Sequence, residues 1–109
     1  MLPLNQTATE FIVKDMKLII EQEWDSSDYP SLAKDQQELY DKYYKNKGWL
    51  FNKEAEAIYY EVDIPFMPIE GQRLGTKSGI SIVKYSIYEI EQNESSSYFE
   101  RSRVVVCDE

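Results

Sequence analysis

The sequence predicts an α+β domain: one or two N-terminal helices packed on a curved antiparallel β-meander of three or more strands, built as a small open barrel or a sheet. Three observations predict it. Apolar residues recur at helical spacing in the first half of the chain. From residue 55 the spacing shifts to two, the period of a strand with one buried face. After residue 80 the alternation changes parity, which signals a β-bulge, and bulges curve sheets.

The elements follow in order. Thr7-Ala8-Thr9-Glu10 fits a capping box. Ile12, Val13, Met16, Ile19 and Ile20 then fall on one helical face, with Lys14, Lys17 and Glu21 opposite. Residues 8–23 are therefore read as a helix, although Phe11 and Leu18 spoil that face. The competing reading is a strand in which Met16, Leu18 and Ile20 alternate with Asp15, Lys17 and Glu21. Asp25-Ser26-Ser27-Asp28-Tyr29-Pro30 is a loop by its turn chemistry. A second helix spans about 31–46, with Ser31 as its cap and Leu32, Leu39 and Tyr43 on one face. Lys42, Lys45 and Lys47 suit the negative end of its dipole, and Gly48 supplies the left-handed residue that ends it.

In the second half, Ile58, Tyr60, Val62, Ile64 and Phe66 alternate with Tyr59, Glu61 and Asp63. Pro65 ends that strand, or puts its end at a sheet edge. Pro68-Ile69-Glu70-Gly71 turns the chain. A second strand covers 80–91, with a bulge near Ile82 or Val83. Asn93-Glu94-Ser95-Ser96-Ser97 closes a hairpin onto a valine-rich strand over 98–107. A turn centred on Ser95 sets Glu89 opposite Arg101 and Ile87 opposite Arg103. Residues 1–109 are read as one domain, mainly helical over 1–54 and a meander over 55–109.

Composition bounds the function. The chain has 109 residues, enough to bury roughly two-thirds of its unfolded surface. Hydrophobic residues make up 42%, which argues against disorder. Twenty acidic residues against twelve basic ones give a net charge of −8. The acids are spread, ten in each half, and the field repels phosphate backbones and anionic membrane surfaces. Direct nucleic-acid or membrane binding is not expected. With a single cysteine, Cys107, no internal disulfide forms, so a reducing compartment is the simpler reading. The N-terminus lacks the features of a secretory signal. We therefore expect a cytoplasmic protein, or a virion component if the AT-rich residue bias reflects a phage of a low-GC bacterium.

The absence of histidine removes the commonest general base and the commonest zinc ligand, and with them Ser-His-Asp and Cys-His arrangements. Gly71-Gln72-Arg73-Leu74-Gly75-Thr76-Lys77-Ser78-Gly79 resembles a phosphate loop only superficially. Three residues, not four, separate its first two glycines, and Thr76 stands between Gly75 and Lys77. No cofactor or metal is implied, and Cys107 reads as a strand-end residue.

Aromatic clusters are the sites worth weighing. Tyr40, Tyr43 and Tyr44, with Trp49 just beyond, either pack the helix on the sheet or form a partner patch. Phe66 and Met67, braced by Pro65 and Pro68, pose the same choice, since a stiff loop docks at low entropic cost. In both, core packing is the plainer reading. The expected function is a non-enzymatic protein–protein interaction module, such as a subunit, an adaptor or a phage accessory protein, binding a protein partner or its own copies. An acidic inhibitor that mimics nucleic acid and blocks a basic groove stands second. A small enzyme or ligand binder using carboxylates, tyrosines, Arg73 or Lys77 stands third.

Overall fold

The computed structural model describes residues 16–23, 35–90 and 96–109. Over 16–22 the strand prevails, which corrects the helical reading of 8–23. β1 (Met16–Gln22) lies in the middle of a six-stranded sheet, antiparallel to β3 (Ala57–Ile64) and parallel to β6 (Arg103–Asp108). Leu18, Ile19 and Ile20 are all buried. A strand covered on both faces reads as a continuous apolar run, and such a run imitates a helical face. The capping box at residues 7–10 and the loop at 25–30 lie outside the described residues.

The helical stretch is central in the sequence rather than N-terminal. It starts at Gln36, capped by Asp35, whose carboxylate accepts from the Glu38 amide at 2.8 Å. It runs as α1 (Gln36–Leu39), widens to a π-turn over Tyr40–Tyr44 and tightens to a 3₁₀ turn over Lys45–Lys47. Ser31, the expected cap, lies outside the described residues. Gly48 ends the stretch at φ 93°, as expected. The changes of winding turn Leu39 and Tyr44 both into the core.

The remaining strands are β2 (Leu50–Asn52), β4 (Arg73–Thr76) and β5 (Gly79–Ile87). The sheet order is β2-β3-β1-β6-β5-β4. It is a mixed sheet, not the antiparallel meander expected, because β1 joins β6 in parallel. β2 and β1 both precede residue 55. The short β4 lies inside the glycine-containing segment that reads as a connection. Tyr98–Glu100 forms a 3₁₀ turn, so the last strand starts at Arg103, not at residue 98. Its Ser97–Glu100 capping box explains why the chain turns there before pairing. The expected register Ile87 opposite Arg103 is present. Arg101 leaves the ladder, while the Glu89 amide donates to Ser102 Oγ at 2.9 Å.

The sheet curls around its inner face. β2 and β4 are opposite edges, yet the turn between β4 and β5 reaches the residues that lead into β2. Trp49 Nε1 donates to Ser78 Oγ at 3.0 Å, and the Lys77 ammonium sits 5.1 Å from the centre of the Tyr60 ring. Within this half-barrel Leu18, Ile20, Leu39, Tyr44, Trp49, Ile58, Tyr60, Val83, Val104 and Val106 form the core. Trp49 contacts Tyr44 and Tyr60 edge-on, at 5.6 and 4.7 Å between ring centres.

Candidate interaction face

The inner face consumes part of the expected aromatic patch. Tyr44 and Trp49 are core residues. Tyr40 is half-buried, donates its hydroxyl to the Trp49 carbonyl at 2.8 Å and leans on Phe51. Tyr43 points outward, 42% exposed. Met67 packs against the core, while Phe66 remains exposed. Pro68 is buried, and its carbonyl accepts from Ser86 Oγ, so the loop carrying Phe66 is pinned.

The outer face carries an arrangement that the sequence reading did not assemble. β5 is inverted relative to an ordinary half-buried strand. A bulge at Lys84, between Val83 and Tyr85, resets its alternation. Ser81, Val83 and Ser86 therefore face inward with Val104, Val106 and Leu74, and Ile80, Ile82, Tyr85 and Ile87 face outward. The inward serines are satisfied: Ser81 shares a hydrogen bond with Thr76 Oγ1 at 2.9 Å, and Ser86 bonds the Pro68 carbonyl. Ile80 is 55% exposed and Tyr85 49%. Ile80 stands opposite Gly75, which offers no side chain to cover it, and nothing comes within 4 Å of where a Cβ would sit there.

The register fixes what borders this row. One line across the outer face reads Leu50, Tyr59, Glu21, Val105, Tyr85. The next reads Glu61, Ile19, Arg103, Ile87. The turn at 98–100 lies over the middle of these lines. The Tyr98 ring meets Tyr59 edge-on at 5.3 Å between centres, and its hydroxyl donates to Glu21 Oε1. Burial first, and the Glu21 carboxylate second, push the Tyr98 hydroxyl far above its ordinary pKa. Arg101, nearly buried, donates from Nη1 to Glu61 at 3.2 Å. The Arg103 guanidinium lies 5.5 Å from the Tyr98 ring centre and 5.8 Å from that of Phe99. Ile19 and Val105 are buried on this side, so the outer face has a small second layer over β1 and β6 and an open apolar row along β5.

A cleft of about 300 Å³ opens elsewhere, lined by Asp35, Gln36, Gln37, Phe51, Lys53 and Glu56. Phe51 is its one aromatic wall, and the Asp35 carboxylate already caps the helix. Among the described residues no three carboxylate or thiolate side chains gather to hold a metal ion. No described helix is long and apolar enough to cross a membrane.

No family model, no curated protein and no solved structure matches this chain.

Proposed function

We propose that the chain is a protein-interaction module whose docking surface is the outer face of β5. The observation that carries this reading is the inverted pattern of that strand. Two serines and a valine point into the core while three isoleucines and a tyrosine point out. Keeping serines inward costs core hydrophobicity and outward isoleucines cost solubility; a partner that covers the row offsets the second cost. Tyr85 within the row, and Arg103 at its margin, are of the types that concentrate binding energy at interfaces. Phe66 and Tyr43, on other surfaces, remain available as secondary contacts.

The test is a double substitution, Ile80→Ser with Tyr85→Ser. Both side chains are about half exposed, so the variant should unfold within roughly 1 kcal/mol of the wild type. It should lose self-association in sedimentation at high concentration, or lose a partner that co-purifies with the wild type. If the wild type stays monomeric and neither protein retains a partner, the reading is wrong.

A further inference from the structure

We propose that Arg103 recognises a carboxylate of the docked partner, an Asp or Glu side chain flanked by apolar residues that lie along β5. The inference rests on the outer face being a protein-docking face, and it adds the chemistry of what docks.

The chain has three arginines. Arg73 is paired with Glu109 at 2.6 Å and Arg101 with Glu61 at 3.2 Å. Among the described residues no acceptor bonds Arg103, although twenty acidic side chains were available to a folding chain. Its guanidinium is held instead against the Tyr98 and Phe99 rings. Of its nitrogens only Nε is shut away from solvent without a partner, which leaves the two amino groups as the accessible end. A guanidinium fixed by stacking is pre-organised: it presents a planar fork and gives up little rotamer freedom on binding. Phe99, 59% exposed, supplies an apolar wall beside that fork. Ile87, opposite Arg103 in the ladder, connects it to the apolar row.

Local charge selects the ligand. Arg101 is paired with Glu61, and the Glu21 carboxylate accepts from the Tyr98 hydroxyl, so the two acids beside Arg103 disfavour a phosphate dianion more than a singly charged carboxylate. One unpaired fork suits one carboxylate, bidentate. The whole chain, at −8, exerts the opposite preference and draws basic peptides. Local and global electrostatics therefore predict different partners, and that makes the inference decidable.

The experiment is selection of random dodecapeptides displayed on phage against the intact protein. Selected peptides are then synthesised and measured by isothermal titration in 150 mM salt against the wild type, Arg103→Leu and Arg103→Lys. The expected result is enrichment of Asp or Glu next to apolar residues, with affinity reduced at least tenfold by Arg103→Leu and partly restored by Arg103→Lys. Changing the peptide's acid to its amide should cost as much as Arg103→Leu. Thermal unfolding of both variants shows that the fold persists; if Arg103→Leu unfolds, the lysine variant and the amide peptide decide. Binders without acidic enrichment, or binders indifferent to Arg103, overturn the carboxylate inference while the docking face stands. A screen that yields no binder at all overturns the docking face, and the inference with it.

Discussion

Tyr98 concentrates the largest electrostatic perturbation among the described side chains. Its side chain is partly buried, its hydroxyl donates to Glu21 and its ring meets Tyr59 edge-on. Replacing it by phenylalanine removes a hydrogen bond to a charged acceptor, worth about 2 kcal/mol. Urea unfolding at pH 7 measures this. Because burial raises the folded-state pKa above the ordinary value near 10, the unfolded chain releases this proton first as pH rises. The contribution is fully present below pH 10 and declines above it. Tyr60 is shifted the same way, by burial, with a backbone bond from Lys77 partly opposing. An ultraviolet titration of the nine tyrosines should therefore show Tyr98 ionising only with unfolding and Tyr60 ionising later than an ordinary tyrosine, and Tyr98→Phe should flatten the alkaline loss of stability. Ordinary ionisation of all nine in the folded state would contradict that account. None of this was legible in the sequence: Glu21 and Tyr98 are 77 residues apart, and only the pairing of β1 with β3 and β6 brings the turn at 98–100 over Glu21.

At the level of elements, legibility followed burial. β3 was readable because one of its faces is wet: Glu61 and Asp63 are exposed while Ile58 and Tyr60 are buried. β1 was not, because Ile19 is buried on the outer side as Leu18 and Ile20 are on the inner. The parity change in β5 was visible as a bulge, but which parity faced the core was not. Inward serines satisfied by Thr76 and Pro68 are tertiary facts. The aromatic clusters were visible too, and packing divided them, taking Tyr44 and Trp49 inside and leaving Phe66 and Tyr43 outside. The helical stretch rests on its two ends. Gly48→Ala puts a Cβ at φ 93° and within 3.5 Å of the Lys77 ammonium. Strain at that φ should cost about 1 kcal/mol or more. Asp35→Ala removes the cap and should cost about 1 kcal/mol. Equilibrium denaturation of each variant provides the check, and a combined loss equal to the sum shows that the ends act independently.

Across the whole molecule, charge and shape make separable demands. The acidic-inhibitor reading requires affinity that falls steeply with salt; docking through an apolar row with a single Arg103–carboxylate pair requires only a shallow fall between 50 and 300 mM. Titrating any captured partner over that range discriminates the two. The parallel pairing of β1 with β6 has a consequence in time. The strand made first from the described residues and the strand made last are neighbours at the centre of the sheet. A nascent chain on the ribosome can form β2, β3 and β1 as one ribbon and β4 with β5 as another, but no strand pairing joins the two until residues 103–108 emerge. Such long loop closure slows the final step. Closure of this sheet thus waits on residues 103–108, and a chain halted before them would hold a three-stranded ribbon and a hairpin unjoined.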